Sequence, residues 1–518
     1  MRHLTDEAAL GRPTASFARR FGDDYNEADP MHNPFARSRL TILLSGALVA
    51  AGCASSGTSS RPSAAPPAAA VRGTLGIETG PISRQIRKRL TLAPDTKGAI
   101  VVEVLPGGPG AVAGIRVDDV VEQVGAFPIA NDCDFVDAGY NLPSLSPVGV
   151  SVRRAKTTVE LKLAPVEQGP FFEELCGRAI ASGCYRQAWS LGTAESQRDR
   201  ALSLYETACK ADSASGCADL GIRLLQWTDR RDETIAAVDK SCTLGSGAGC
   251  AHEAFLYATG KLVGRDDRRA TALYVRGCDL GDAKACYNVG VMADEGRGAP
   301  RNLKTAAARY EEACEGGSSA ACTNLGFLYE NGHGVARDRE LAVAFYQRGC
   351  DGSHCQPSNR TGCVNLGRTY RDGIGVAKDP ARAMAIFQDA CDRPLDPEDI
   401  GADRNRSRAC SLLGAMYLGT DDAKGRELSE LGCERGDGFG CFNAAAIYTT
   451  GSGVVADPVK ATSFLEKACR AGDGEGCFDL AIAYEKGTGT SADPAKATES
   501  FQKACERGFQ KACGRKGR

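Results

Sequence analysis

Cysteine is the residue type in this sequence whose number and spacing could do chemistry. The chain has 518 residues and 23 cysteines, and many of these stand eight residues apart around a glycine, as in CDLGDAKAC from Cys278 to Cys286. Such cysteines could bind a metal as thiolates or close disulfides. The eight pairs with this spacing are Cys176/Cys184, Cys209/Cys217, Cys242/Cys250, Cys278/Cys286, Cys314/Cys322, Cys433/Cys441, Cys469/Cys477 and Cys505/Cys513. Two further pairs, Cys350/Cys363 and Cys391/Cys410, have more residues between their cysteines.

The rest of the composition favours disulfides over metal. Only five histidines accompany the cysteines, and no Cys-x-x-Cys occurs, so we expect no metal site and no cofactor. Paired cysteines without histidines indicate disulfides and an oxidising compartment. The formal net charge of −2 excludes a surface that binds nucleic acid or anionic lipid through excess positive charge.

The N-terminal part has the features of an export signal. Residues 31–52 combine basic residues with an apolar run from Leu40 to Ala50, which is too short to cross a bilayer. The ending Ala-Gly-Cys resembles a bacterial lipobox, which implies cleavage before Cys53, lipid attachment to it and residence at the outer membrane facing the periplasm. The alternative is an ordinary secreted protein cut near Ala54. Residues 1–30 are too charged for a signal peptide, so we expect Met31 to be the true start.

Residues 53–72 are rich in Ser, Pro and Ala and predict a flexible tether, whereas residues 73–166 contain β-rich runs bounded by Gly and Pro. The motifs RGTLGI, GAIVVEVLPGGPGAVAGI, DDVVEQV and FPI resemble a PDZ domain of the HtrA-protease type. The resemblance implies a small α+β domain in which the Leu75, Gly76 and Ile77 loop binds a C-terminal carboxylate through backbone N–H groups. The peptide would then add as a strand beside the strand that follows.

Two turns depart from the PDZ pattern. Asp118 stands where the family has Gly, and Gly125-Ala126 stands where it has Asn-Gly, so we expect remodelled turns there. The alternatives are that the domain is a spacer, or that Gly76 serves a purely structural turn. We interpret Cys133, which has no pairing partner in this region, as a buried thiol.

From residue 170 to residue 518 the chain repeats one unit. The first cysteines of successive pairs are 33 or 36 residues apart, except for two steps of 41 and 42 residues, and such a period predicts a helical solenoid. An alanine eight residues before the first cysteine and an aromatic four before it share one helix face with that cysteine, as Ala306, Tyr310 and Cys314 do. Glycine recurs four residues after the second cysteine, which predicts close approach of a neighbouring helix.

This pattern resembles the Sel-one-like repeats, relatives of the tetratricopeptide repeats, and in particular the secreted cysteine-rich branch of that family. The resemblance implies an all-α solenoid of about ten helical hairpins, each closed by one disulfide. Cys278 would end one helix, Gly281 would turn the chain, and Cys286 would lie in the first turn of the next helix. Cys355 is left over, within reach of Cys350 or Cys363.

The resemblance also raises an enzyme hypothesis, because some cysteine-rich members are described as penicillin binders or β-lactamases. A serine β-lactamase needs Ser-x-x-Lys on a helix, and the only match runs from Ser500 to Lys503, where we expect a solvated helix face. Acylation by a labelled β-lactam would distinguish this alternative. The repeated Gly-x-Gly loops have no acidic cluster and predict turns. Trp189 and Trp227 could line a groove, although packing is the commoner role.

These observations predict an exported, lipid-anchored binding protein without catalytic activity. The PDZ domain would capture a peptide or C-terminus, and the curved repeat array would offer a long concave surface to protein partners. The alternative is a penicillin-interacting cell-wall protein. The only membrane contact expected is the lipid anchor.

Overall fold

The structure is a computed structural model that describes residues 73–80, 82, 84–93, 96–130, 135, 138, 146–192, 194–352, 359–393 and 402–515. The predicted signal peptide, the tether and Cys53 lie outside the described residues, and so do Met31, Cys133 and Cys355. The described chain divides into two compact units, one reaching Leu366 and the other beginning at Gly367. No helix in the described ranges is both long and apolar enough to cross a membrane.

The first part of the chain forms a small antiparallel sheet. Its strands are β1 (Gly73–Thr74), β2 (Ile77–Gly80), β3 (Ala99–Val104), β4 (Val120–Val124), β5 (Phe127–Pro128), β6 (Val148–Arg154), β7 (Thr157–Leu163) and β8 (Val166–Glu167). Two short helices, α1 (Arg84–Leu90) and α2 (Pro109–Ala113), flank β3. The main sheet has the order β2-β3-β4-β6-β7 with β5 paired to β4, and β1 pairs separately with β8.

The alternation of apolar residues in the strands builds the core of this sheet. Val121, Val124, Val150 and Val152 are fully buried, together with Leu163 at the end of β7. Val150 and Val152 share one face of β6 because successive side chains of a strand point to opposite faces. Val121 and Val124 of β4 are three residues apart, and they reach this same face because the pairing register shifts between Val121 and Gln123. The predicted small α+β fold of this region is confirmed.

The turn at Asp118 keeps the backbone conformation that the PDZ pattern requires. Asp118 has a φ of +72°, and its carboxylate accepts two hydrogen bonds from the Arg89 guanidinium at 2.6 and 3.1 Å. An aspartate adopts this left-handed region more readily than most residues. The prediction of a remodelled turn is therefore wrong at Asp118.

The turn between β4 and β5 differs from the family pattern, as predicted. Val124 pairs with Phe127, so Gly125 and Ala126 form a two-residue hairpin loop. Gly125 has a φ of +58°, whereas Ala126 is not among the residues with positive φ. A positive φ at the first position alone is the arrangement of a type II′ turn, whereas Asn-Gly favours type I′.

The rest of the described chain consists of helices joined as antiparallel hairpins. The helices are α3 (Gln168–Gly177), α4 (Ala181–Ser190), α5 (Arg198–Lys210), α6 (Ala214–Trp227), α7 (Arg231–Thr243), α8 (Gly247–Thr259), α9 (Asp267–Asp279), α10 (Ala283–Glu295), α11 (Leu303–Glu315), α12 (Ser319–Asn331), α13 (Arg339–Asp351), α14 (Arg360–Asp372), α15 (Pro380–Asp392), α16 (Ala402–Tyr417), α17 (Asp422–Glu434), α18 (Gly438–Thr450), α19 (Pro458–Arg470), α20 (Gly474–Lys486) and α21 (Pro494–Glu506).

Three buried aromatics of the repeats, Tyr310, Tyr346 and Phe387, pack against a glycine of the preceding hairpin. A Cβ added to Gly290 would lie 2.5 Å from the Tyr310 ring, and one added to Gly326 would lie 2.8 Å from the Tyr346 ring. These rings are almost completely buried. The predicted close approach is confirmed, and its cause is a ring of the next hairpin that fills the place of the missing side chain.

The Gly-x-Gly loops are turns, as predicted. Gly332 ends α12 with a φ of +71°, and Gly334 has a φ of +74°. A Cβ on Gly334 would lie 2.3 Å from the Leu303 carbonyl carbon, so the loop can approach the start of α11 only because this residue is glycine. Asp338 then accepts the N–H of Leu341 and caps α13.

A series of cation–π contacts joins neighbouring hairpins, and the sequence analysis did not predict it. In each contact, a tyrosine lies seven residues after the second cysteine of one hairpin. It contacts a basic residue that lies nine residues before the first cysteine of the following hairpin. The Arg269 guanidinium lies 4.2 Å from the Tyr257 ring centroid, and the Lys496 amine lies 5.4 Å from the Tyr484 ring centroid. Equivalent pairs are Arg382/Tyr370, Lys424/Tyr417 and Lys460/Tyr448.

Candidate functional site: the free edge of the sheet and the first hairpin

All ten predicted cysteine pairs are disulfides that close within one hairpin. Cys278 and Cys286 have a Cα–Cα distance of 4.5 Å, because Cys278 lies at the end of α9 and Cys286 lies in the first turn of α10. Gly281 turns the chain between them with a φ of +93°. The other bridges are Cys176–Cys184, Cys209–Cys217, Cys242–Cys250, Cys314–Cys322, Cys350–Cys363, Cys391–Cys410, Cys433–Cys441, Cys469–Cys477 and Cys505–Cys513.

The loop of Leu75, Gly76 and Ile77 connects β1 to β2 and is held by backbone hydrogen bonds. The Leu75 carbonyl accepts the N–H of Gly110, and the Gly76 carbonyl accepts the N–H of Leu105. Gly76 has a φ of +66°, and a Cβ at this position would lie 2.9 Å from Pro109 Cδ. Only glycine fits here, because both the backbone conformation and the approach of the start of α2 exclude a side chain.

The backbone of Ile77 faces the outer edge of the sheet. Ile77 pairs with Val104, and the flanking bond runs from the Leu105 N–H to the Gly76 carbonyl. In an antiparallel ladder this pattern marks a non-hydrogen-bonded pair, in which the residue's own N–H and C=O point away from the partner strand. Among the described residues no strand pairs with the outer edge of β2.

The first hairpin packs directly on the sheet. β8 ends at Glu167 and α3 begins at Gln168, so no linker separates the two regions. Phe172 and Leu175 of α3 share a buried cluster with Leu105, which follows β3. A Cβ on Gly108 would lie 3.1 Å from the Phe171 ring. The hairpin thus contacts the segment that supports the Gly76 loop.

A polar contact joins the edge strand to the second helix of this hairpin. Arg186 of α4 donates a hydrogen bond from Nε to Glu78 Oε1 at 2.5 Å. Glu103, which pairs with Glu78 across β2 and β3, forms a side-chain hydrogen bond with Ser182 of α4. Burial, and then the neighbouring Glu78 carboxylate, raises the pKa of Glu103.

Glu78, Glu103 and Arg186 were not predicted from the sequence. Arg186 stands two residues after the second cysteine, a position that has asparagine in four later repeats but aspartate, histidine, leucine or arginine in the others. Because the residue type at this position varies along the array, it did not indicate the contact with the sheet.

The Ser-x-x-Lys motif of α21 does not have the predicted setting. Ser500 is only 6% exposed, because it lies beside the buried Phe501, so the predicted solvated position is wrong. The Lys503 amine lies 2.7 Å from Glu499 Oε1 in an exposed ion pair. The two residues therefore lack the accessible nucleophile and directed amine that acylation requires.

Both tryptophans are partly buried and lie beside arginines. Trp227 packs on the core of the early hairpins, between the guanidinium groups of Arg198 and Arg223 at 5.5 and 5.2 Å from its ring. Trp189 of α4 lies 5.9 Å from the Arg186 guanidinium. Trp227 thus has the packing role that we considered commoner, whereas Trp189 lies next to the ion pair with the edge strand.

Comparison with known proteins found similarities within the helical region. The family model described as Sel1 repeat matches residues 181–213, 249–282, 283–318, 319–354, 361–394, 438–473 and 474–509. The crystal structure of c5321, a protective antigen of uropathogenic Escherichia coli strains with an SLR fold, is 19% identical, covers 67% of this chain and 81% of that chain, and has a TM-score of 0.40.

Two further similarities concern HtrA-type proteins. The HtrA3 PDZ domain bound to a phage-derived ligand (FGRWV) is 27% identical, covers 19% of this chain and 93% of that chain, and has a TM-score of 0.17. A probable periplasmic serine endoprotease DegP-like of Rhizobium meliloti (strain 1021) is 38% identical over 63 residues. The match spans 12% of this chain and 12% of that protein's length.

Proposed function

We propose that this chain, in which seven stretches of the helical region match the Sel1 repeat model, is an exported scaffold that binds other proteins and has no catalytic role. The matched Sel1 stretches support protein binding, since repeats of this kind offer extended interaction surfaces. The ten disulfides among the described residues support an oxidising compartment outside the cytoplasm.

The sheet region acts in this proposal as a PDZ domain that captures a protein C-terminus. The observation that carries it is the backbone of Ile77, whose N–H and C=O point to an edge with no pairing strand among the described residues. A peptide would add antiparallel to β2, and its terminal carboxylate would lie at the Leu75, Gly76 and Ile77 loop. The similarity to an HtrA PDZ domain agrees with this role.

A binding experiment with the full chain tests the capture of C-termini. A library of fluorescent peptides with free C-termini supplies a binder, and the same peptide with an amidated C-terminus is its matched control. Ile77→Pro removes the N–H that faces the edge and should weaken binding at least tenfold. Ile77→Val keeps the N–H and a similar side chain, so it should bind like the parent.

Three outcomes contradict the capture proposal. Equal binding of the acid and the amide would mean that no carboxylate site exists. Unchanged affinity of the proline variant, with its folding checked by circular dichroism, would place binding elsewhere. Failure of every free C-terminus to bind would leave the sheet region as a spacer, with binding confined to the repeats.

The export route in this proposal ends with lipid attachment at Cys53. The support is the apolar run followed by Ala-Gly-Cys in the sequence. Intact-mass analysis of the protein from a bacterial envelope should find an acylated N-terminal Cys53 and no peptide from residues 1–52, and Cys53→Ser should move the protein to the soluble fraction. An unmodified N-terminus elsewhere would remove the lipid anchor from the proposal. The outer membrane is the expected location.

A further inference from the structure

The two faces of the edge strand have different surroundings. Ile77 is buried in the core of the sheet, and the next residue, Glu78, points to the opposite face. Glu78 and Glu103 are cross-strand neighbours, so both carboxylates lie on that face. Helix α4 of the first hairpin contacts the same face through Ser182 and Arg186.

Acidic groups outnumber basic groups on this face. Glu78 and Glu103 contribute two carboxyl groups, whereas the contacts of α4 contribute one guanidinium, that of Arg186. The Glu78–Arg186 pair is only partly exposed, so salt screens it less than a surface pair. The face therefore has more acidic than basic groups beside the edge of β2, which carries no pairing strand in the described ranges.

The register of an added strand follows from the same hydrogen-bond pattern. The outward N–H and C=O of Ile77 would pair with the last residue of an antiparallel peptide, since one residue exchanges both bonds with its partner. The penultimate residue would then lie directly opposite Glu78. Because residues opposite each other share a face, its side chain would project toward α4 and away from the core of the sheet.

We infer that the first hairpin, formed by α3 and α4, is part of the peptide site, and that the site prefers a C-terminus with a lysine or arginine as its penultimate residue. The ammonium or guanidinium group would lie beside Glu78 and within side-chain reach of Glu103. The partly exposed ring of Trp189, next to Arg186, offers a surface for the aliphatic stem. This inference rests on the proposed capture of C-termini. It adds that the penultimate residue of the peptide determines the specificity, and that the first hairpin contributes to its recognition.

Three peptides that differ only at the penultimate position test the preference in the full chain. With lysine, alanine and glutamate there, the affinity should fall in that order, with about a five- to tenfold difference between lysine and glutamate, since cross-strand pairs of opposite charge attract and pairs of like charge repel. The difference should shrink as the salt concentration rises.

Two variants sharpen the test, and a third is their control. Arg186→Gln removes the positive charge and should widen the preference for lysine, whereas Glu78→Gln should reduce or abolish it. Glu160→Gln removes an exposed carboxylate from β7 and should leave the order of the three peptides as it was. A merely structural role of Arg186 would weaken all three peptides by the same factor.

The outcomes separate the inference from the proposed function. Equal affinities for the three peptides, in a chain that still discriminates the free carboxylate from the amide, would overturn the inference alone. A preference for glutamate would overturn it too, and would indicate that Arg186 recognises the penultimate residue. Absence of binding by any free C-terminus would remove both proposals.

Discussion

The sheet region contains stabilising contacts that occur once, whereas each hairpin repeats the contacts of its neighbours. In the sheet, Arg154 donates two hydrogen bonds to the Asp119 carboxylate at 2.6 and 2.7 Å, and Asp119 is only 2% exposed. In the repeats, a disulfide and a buried ring recur from hairpin to hairpin. A single change should therefore act on the whole sheet, whereas it should act only locally in the repeats.

The largest expected effect is the loss of Arg154. Arg154→Met leaves the buried Asp119 carboxylate without its cation, and it should lower the free energy of unfolding of the sheet region by about 3–5 kcal/mol. Denaturant unfolding, with hydrogen exchange read over residues 96–163, measures this loss.

The neighbouring residue is the matched control for that change. Arg153 on the same strand pairs with Glu122, but its side chain is 42% exposed. Arg153→Met should therefore cost no more than about 1 kcal/mol. Equal losses for the two variants would contradict the special role of the Asp119 contact.

The second effect is the removal of one disulfide. Replacing Cys278 and Cys286 together by alanine should destabilise the hairpin of α9 and α10 by about 2–3 kcal/mol, because the eight-residue loop gains freedom in the unfolded state. Hydrogen exchange should increase in that hairpin and its neighbours and stay unchanged in the sheet. The same replacement of Cys209 and Cys217 should have an equal effect around α5 and α6. A uniform increase of hydrogen exchange along all the repeats would show that the loss of one disulfide is not confined to the neighbouring hairpins.

The smallest expected effect is a gain of stability when the buried Asp479 of α20 is replaced by asparagine. Burial, and then the neighbouring Asp473, raises the pKa of Asp479 to about 6. A raised carboxyl pKa favours the protonated folded form, so the stability falls as the pH rises from about 4, the pKa in the unfolded chain, to 6. Asp479→Asn should therefore stabilise the protein by about 1–2 kcal/mol at pH 7.5 and by little at pH 4.

Asp493, the N-cap of α21, provides a control of opposite sign for this prediction. Backbone hydrogen bonds, chiefly from Lys496, lower the pKa of Asp493. Asp493→Asn should therefore give no stabilisation at pH 7.5 in a thermal melt. A gain for both variants would point to a general effect of negative charge rather than to burial.

Repetition decided which features could be predicted from the sequence. Tyr310 and Cys314 stand at positions that recur in most units, so their helix face and the local disulfide were visible as a pattern. The burial of Ser500 was missed, although the buried Phe345 and the partly buried Phe464 stand at the same place in earlier units. Aligned positions predict burial better than the single sequence motif that drew attention to Ser500.

Contacts that occur once left little trace in the sequence. Glu78 and Arg186 are 108 residues apart, and no spacing links them. Asp118 forms its ion pair with Arg89, which lies 29 residues away in a different element. The cation–π pairs between hairpins do recur, but their partners lie in different units, so the period of either residue alone did not predict the contact.

The pairing of β1 with β8 determines how the molecule would respond to mechanical force. Gly73 pairs with Glu167, so the chain enters and leaves the sheet region at the same end of a two-stranded ladder. A pull between the N-terminal segment and the repeats would load this short ladder in the unzipping direction, in which its hydrogen bonds break one after another. The next segment under load is the loop of Leu75, Gly76 and Ile77. Tension would therefore reach this loop before it strains the main sheet.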